Sequence, residues 1–230
     1  MKNISVYLLV TGLCIGLWSC GGPKQQAEGN QTVRNHPAIL EMISADTSEK
    51  VSRQLKSFLR EGDELMRWKN HYLVYSASGE LHIFKNSLKA AYPEMAVKAY
   101  PTDSMYYRFD RSHCADSSVA KEWKNIILTA NMVADTSLQR EYLQYHKTQF
   151  AEWPEISQGF CNAEFQQLVM FKNGRQLMLV ISIPKGKTLD ELNPKTTENN
   201  PKVDEWNQIM AKYQEGIEGT QEGETWVFFK

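Results

Sequence analysis

The chain has 230 residues, a formal net charge of −1 at pH 7 and 11% aromatic residues. This balance lacks the strong basic excess typical of nucleic-acid-binding proteins, so we expect no nucleic-acid partner. The length allows one large hydrophobic core or two small ones.

An apolar segment at the start of the chain predicts export. A short basic beginning precedes residues 4–18, which are almost wholly apolar but too few to span a membrane. The sequence LWSC at residues 17–20 is similar to the lipobox of bacterial lipoproteins, in which the cysteine is acylated. We therefore expect residues 1–20 to be a lipoprotein signal peptide, with Cys20 as the lipidation site. The alternative is an ordinary signal peptide cleaved nearby.

Residues 21–36 are rich in glycine, glutamine and asparagine, with hardly any apolar side chain, so they cannot bury enough surface to fold. We expect a flexible tether that holds the folded part at the cell envelope, facing the periplasm by default. The lipid anchor would be the only membrane contact. Two cysteines remain in the folded part, Cys114 and Cys161, and an exported compartment permits a disulfide. The sequence leaves open whether they pair.

A four-residue repeat indicates that the folded part contains two related halves. Ala-Asp-Thr-Ser occurs at residues 45–48 and again at 134–137, each time after an apolar strand-like run and before a helical pattern. A β-hairpin is predicted after each helix. The hairpin strands are residues 72–75 and 81–84 in the first half, and 168–171 and 177–180 in the second.

The second half reads as strand, helix, hairpin, helix and strand. Residues 126–133 predict the first strand, and the helix that follows carries an aromatic stripe that includes Tyr142, with His146 beside it. Pro201 opens a second helix, whose apolar face includes Trp206. An aromatic strand then closes the chain. This βαββαβ order is the ferredoxin-like arrangement.

We therefore predict an α+β protein made of two tandem ferredoxin-like halves, a degenerate repeat at residues 37–123 and a second domain at residues 124–230. A ferredoxin-like sheet has helices on one face only, and an exposed apolar sheet face is unfavourable. We expect the two sheets to cover each other. The chain would then be an intramolecular pseudo-dimer with the shape of a dimeric α+β barrel.

Six short patterns in the second half, in their order and spacing, resemble the L-rhamnose mutarotase family. Members of that family have a dimeric ferredoxin-like fold and interconvert the α and β anomers of a deoxy sugar. The patterns are Glu141-Tyr142-x-x-x-His146, Trp153-Pro154-Glu155, Gly159-Phe160-x-Asn162, Asn173-Gly174-Arg175-x-Leu177, Val203-x-x-Trp206-x-x-x-Met210-x-x-Tyr213-Gln214 and Glu222-Gly223-Glu224-x-Trp226.

The resemblance implies an isomerase that needs no cofactor and no metal, with a monosaccharide as its small-molecule partner. His146 would be the acid/base that works on the sugar ring, because histidine gives and takes protons near neutral pH. Tyr142 would hydrogen-bond the sugar beside it, and Trp206 would form a wall of the pocket. Asn162 and Glu164 are the further candidates for binding sugar hydroxyls.

The chain departs from the family pattern at two places. Trp153 follows His146 by seven residues instead of four, and Ala163 stands where the family carries a second tyrosine that contacts the sugar. In the first half, Arg53 and Ser57 occupy the positions of the site tyrosine and histidine. We therefore expect at most one site per chain, with a structural role for the first half.

Two functions from different classes follow. The first is a mutarotase acting on a 6-deoxyhexose such as L-rhamnose at the cell envelope. The alternative is a non-catalytic lipoprotein that binds a sugar or a protein in the aromatic pocket, which the missing tyrosine favours. Haem binding and cofactor-free oxygenase chemistry are known for barrels of this shape, but a fold alone does not argue for them. The sequence does not identify the sugar.

Overall fold

The computed structural model describes residues 37–79 and 81–230, without the side chains of residues 82 and 83. The predicted signal peptide, the lipidation site Cys20 and the whole of the predicted tether lie outside the described residues. No helix within the described part of the chain is long and apolar enough to cross a membrane.

The first half has the βαββαβ order predicted from the sequence. Its four strands form an antiparallel sheet in the order β2-β3-β1-β4, which is the ferredoxin-like order. The elements are β1 (Ala38–Ile43), α1 (Glu49–Lys56), β2 (Asp63–Trp68), β3 (His71–Ser76), α2 (His82–Ala91) and β4 (Ala96–Tyr100).

The hairpin predicted for the first half was wrong in one of its two strands. Residues 72–75 lie in β3 as expected, but Leu81 caps helix α2 and residues 82–84 begin it, and the hairpin partner of β3 is β2. Among the side chains described in this segment, Leu81, Phe84 and Leu88 are buried at helical spacing. Four residues considered alone do not distinguish this spacing from that of a strand. The true turn begins at Lys69, which adopts a left-handed φ of 51°.

The second half repeats this order with additions. Its sheet runs β10-β6-β8-β7-β5, and β9 pairs with β6. The elements are β6 (Trp123–Met132), α3 (Thr136–Glu152), α4 (Pro154–Asn162), β7 (Gln167–Asn173), β8 (Gln176–Pro184), α5 (Leu189–Leu192), α6 (Pro201–Met210), β9 (Gln214–Glu215) and β10 (Val227–Phe228). The hairpin predicted here is confirmed, with Asn173 and Gln176 as its closing pair.

Strand β5 (Met105–Asp110) precedes the boundary predicted at residues 123 and 124, yet it pairs with β7 in the second sheet. It follows β4 after a single short 3-10 turn at Thr102–Ser104. The chain therefore leaves the first sheet at β4 and enters the second sheet at β5 within a few residues.

Each sheet uses its two faces differently. Leu40 and Met42 of β1 pack with helices α1 and α2, whereas Ile39, which points to the opposite face, joins a buried cluster shared by both sheets. That shared cluster comprises Ile39, Leu73, Tyr75 and Tyr100 from the first half and Ile127, Val169, Phe171, Met178, Val180 and Phe229 from the second. The chain end also crosses between the halves, since Lys230 exchanges two backbone hydrogen bonds with Arg67 at 2.7 and 3.1 Å.

A disulfide joins Cys114 to Cys161, so the pairing that the sequence left open is present. Cys114 follows β5 and its 3-10 turn, whereas Cys161 lies in the last turn of α4. The bond therefore ties the segment that connects the halves to a helix of the second half.

Candidate functional site

Helix α3 places the predicted site residues on one buried face. Its first turn is capped by Asp135, whose carboxylate accepts hydrogen bonds from the backbone N–H groups of Ser137 at 2.7 Å and Leu138 at 3.3 Å. Tyr142 and His146 are then one helical turn apart and both are buried. The Ala-Asp-Thr-Ser repeat thus starts the helix that carries the candidate site.

His146 is held in one tautomer by its own helix. Its Nδ1 lies 3.0 Å from the carbonyl oxygen of Tyr142, and a carbonyl can only accept, so Nδ1 carries the hydrogen. In the neutral ring, Nε2 is then the proton acceptor. Burial lowers the pKa of His146 from 6.5 to about 4, against the opposing effect of the Tyr142 carbonyl. The imidazole is therefore neutral at pH 7.

His146 borders a cavity of about 390 Å³, a size typical of small-molecule sites. Aromatic rings meet the imidazole at steep angles on two sides, with centroid distances of 5.4 Å to Trp206 and 5.4 Å to Tyr107. The wall is mainly apolar, with a few polar groups. Its residues are Tyr107, His146, Ile156, Phe160, Leu168, Met170, Leu179, Trp206, Asn207, Met210, Ala211, Gln214, Thr225 and Trp226.

A chain of hydrogen bonds runs along one side of this cavity. Trp226 Nε1 donates to Gln214 Oε1 at 3.0 Å, and Gln214 Nε2 donates to the Tyr142 hydroxyl at 3.2 Å. The Tyr142 hydroxyl lies 3.1 Å from that of Tyr106. Burial raises the pKa of Tyr142 to about 12, so its phenol stays neutral at pH 7. The chain fixes the side chain of Gln214, which faces the cavity.

Strand β5 supplies two site residues that the sequence interpretation missed. Tyr106 reaches the Tyr142 hydroxyl, and Tyr107 lines the cavity while its own hydroxyl donates to Gln149 Oε1 at 2.7 Å. Ala163, where a second family tyrosine was expected, is completely buried. Phenol groups therefore reach the site from the segment between the halves. The alternating pattern of residues 105–110 would have predicted a strand, but not its partner.

The structure brings together three of the five predicted catalytic and sugar-binding residues. His146 and Trp206 line the cavity, and Tyr142 lies behind it with its hydroxyl bonded to Gln214. Asn162 and Glu164 do not line this cavity, and their role as sugar-binding residues stays a prediction.

The end of helix α4 explains where these two residues lie. Asn162 is the last residue of α4, and its amide oxygen accepts from Gln158 at 2.9 Å on a separate surface depression. Glu164 follows with a left-handed φ of 58°, and its carboxylate pairs with Lys195 at 2.7 Å. The chain turns at this point, and neither side chain lines the His146 cavity.

Residues 125–230 match the sequence model of the L-rhamnose mutarotase family. This confirms the resemblance predicted for the second half. A UPF0734 protein of Dictyostelium discoideum is 27% identical over 113 residues, which cover 46% of this chain and 84% of the relative.

Two solved structures resemble the chain over 84% of its length. The heme-degrading enzyme LmHde of Listeria monocytogenes is 15% identical, with 97% of that chain covered and a TM-score of 0.39. A monooxygenase-like protein of Listeria innocua is 16% identical, with 92% of that chain covered and a TM-score of 0.39.

Proposed function

We propose that the second half of this chain is a carbohydrate mutarotase that interconverts the α and β anomers of a 6-deoxyhexose such as L-rhamnose. The observation that carries the proposal is His146, a neutral imidazole with Nε2 as its acceptor, at the wall of an aromatic cavity. The match of residues 125–230 to the mutarotase family supports the same reaction.

The proposed reaction needs one proton carrier. His146 Nε2 takes the proton from the anomeric hydroxyl, whose oxygen forms the C1 carbonyl while the bond between C1 and the ring oxygen breaks. The ring oxygen is attached to the same carbon, so the imidazolium delivers its proton there. A buried imidazolium with a pKa of about 4 gives up this proton readily. Rotation about the C1–C2 bond and closure on the other face reverse both transfers.

The wall of the cavity supports a deoxy sugar as the substrate. The rings of Trp206, Trp226 and Tyr107 present apolar surface, which suits the C–H face and the methyl group of a 6-deoxyhexose. Gln214 and Asn207 offer amide groups for sugar hydroxyls. No step in this scheme calls for a metal or an organic cofactor.

We further propose that the two halves form an intramolecular pseudo-dimer, a pseudo-dimeric α+β barrel. The buried cluster shared by both sheets, the short step from β4 to β5 and the bonds between Lys230 and Arg67 support it. In this arrangement the first half covers the second sheet, and the segment that joins the halves completes the site with Tyr106 and Tyr107.

The alternative proposal is a non-catalytic lipoprotein that binds a sugar or a partner protein in the same cavity. The low pKa of His146 favours it, because a weakly basic imidazole removes a proton from a sugar hydroxyl slowly. In either case we propose attachment to the cell envelope through acylated Cys20. Incorporation of labelled fatty acid that Cys20→Ser abolishes would support the anchor, and incorporation that persists in the variant would refute it.

Exchange NMR between the anomers of L-rhamnose, L-fucose and other reducing sugars tests the function. We expect the full chain to accelerate the exchange of at least one sugar and His146→Gln to abolish the acceleration. Lys147→Gln, an exposed neighbour on the same helix, is the control and should keep the full rate. If no sugar is accelerated but one binds, the binding proposal replaces the enzyme.

A further inference from the structure

A second cavity lies beside the turns of the β2–β3 and β7–β8 hairpins. It encloses about 530 Å³ and has no lining residue in common with the cavity beside His146. Its lining is polar, and it contains three cations, Lys69, Lys98 and Arg175, against one carboxylate, Glu218. Arg175 is already paired with Glu215, whereas neither Lys69 nor Lys98 forms a salt bridge within the described residues, so an anionic ligand would have two ammonium groups to approach.

A histidine and a carboxylate stand at the buried side of this cavity. His71 lines it, and its Nδ1 lies 2.7 Å from Oε1 of the fully buried Glu41. Gln176 Nε2 lies 3.1 and 3.0 Å from the two carboxylate oxygens, and the Tyr100 hydroxyl donates to Oε2 at 3.2 Å. The carboxylate holds the Nδ1 hydrogen of His71, which leaves Nε2 as the ring nitrogen available to a ligand.

Glu41 is charged although it is buried. Burial by itself would raise its pKa, but the hydrogen bond from His71 and the nearby charge of Lys98 bring the pKa below its ordinary value. The cavity therefore has a fixed negative charge behind His71, and this charge keeps the imidazole oriented.

The second half has no counterpart of this pair. When the two halves are aligned on the Ala-Asp-Thr-Ser repeat, Ala130 takes the place of Glu41. When the second strands of the two hairpins, β3 and β8, are aligned at their first residues, Gln176 takes the place of His71. The second sheet therefore forms without a histidine–carboxylate pair at these positions. The histidine–carboxylate pair is therefore particular to the first half, where His71 borders the second cavity.

Hydrogen bonds hold the two lysines of the lining. Lys69 donates to a backbone carbonyl and Lys98 to the amide oxygen of Gln176, which are both neutral partners. Each ammonium group has three hydrogens, so donors remain for a ligand. Arg175, in contrast, is paired with Glu215. An anion entering this cavity would therefore be bound mainly by the two lysines.

We propose that this cavity binds a small hydroxylated anion, a sugar that carries a carboxylate or a phosphate group. The anionic group lies against Lys69 and Lys98, and a hydroxyl lies against Nε2 of His71. The amide side chains of Asn131 and Asn173 in the lining suit the remaining hydroxyls. This site is separate from the proposed mutarotase site and does not depend on it.

Isothermal titration calorimetry on the full chain tests the proposal with glucuronate and glucose 6-phosphate as anionic probes and glucose as the neutral probe. We expect at least one anionic sugar to bind and glucose to bind far more weakly. Loss of one charge-assisted hydrogen bond in Lys69→Gln should weaken binding by about tenfold or more. His71→Gln, which keeps a donor for Glu41, should also weaken it, with circular dichroism as the check on folding.

Two controls keep the result specific. Lys56→Gln removes an exposed charge outside the cavity, and His146→Gln alters only the other site, so both should bind the anionic sugar as the unmodified chain does. The proposal is overturned if neither anionic sugar binds at millimolar concentration, or if glucose binds equally well. Equal weakening by Lys69→Gln and Lys56→Gln would also overturn it.

Discussion

Burial of neutral His146 should make the stability of this protein fall in mild acid. The pKa of His146 is about 4 in the folded chain and 6.5 in a solvated histidine, so the unfolded chain binds the proton at higher pH. The stability that depends on this residue is fully present above pH 6.5 and is lost as the pH falls towards 4. Between about pH 8 and about pH 5, the lost stability is about 2 kcal/mol.

The measurement is urea denaturation of the full chain and of His146→Gln at these two pH values. The substitution changes the free energy of unfolding at both pH values. The tested quantity is therefore how much the decrease in the free energy of unfolding between the two pH values differs between the two proteins. Other carboxylates and histidines titrate alike in both and cancel. We expect His146→Gln to lose about 2 kcal/mol less than the unmodified chain. Equal losses in both proteins would refute the claim that His146 is folded as a buried, neutral imidazole.

Three further predictions concern the same region. If the chain is a mutarotase, its enzymatic rate should stay level from neutral pH down to about pH 5 and fall to half near a pH of about 4, because the base must be unprotonated. A pH–rate profile with its midpoint near 6.5 would contradict the burial of His146. Cys114→Ser should lower the free energy of unfolding by about 4 kcal/mol, since the disulfide spans 47 residues, and an equal urea midpoint with and without reductant would oppose this. Asp135→Ala removes the cap of α3 and should cost about 1 kcal/mol by thermal unfolding, a loss that Asp135→Asn should largely avoid.

The family resemblance implied that His146 and Trp206 share one site, and local patterns predicted the two helices that carry them. A cap at Asp135 and apolar side chains at helical spacing fix which face of α3 is buried, and the next helix follows the same rule. The repeat of four residues and the hairpin turn at Asn173 indicated the ferredoxin-like order of both halves, and the patterns of the second half carried the family resemblance.

Contacts between distant residues could not be predicted in this way. Tyr106 and Tyr107 join the site because β5 pairs with β7, a strand about sixty residues further on, and no local pattern specifies that partner. The bond between Cys114 and Cys161 likewise depends on where α4 packs.

The sequence by itself determined the helix and strand order of the second half, the family that half resembles and the residue types of the site. Only the tertiary structure decided that Asn162 and Glu164 lie outside the cavity, that Tyr107 of β5 lines it while Tyr106 contacts the Tyr142 hydroxyl, and that Glu41 and His71 meet beside a second cavity. The physical reason is the range of the interactions. Capping and periodicity act between residues a few positions apart, whereas strand pairing and burial bring together groups that are far apart in the chain.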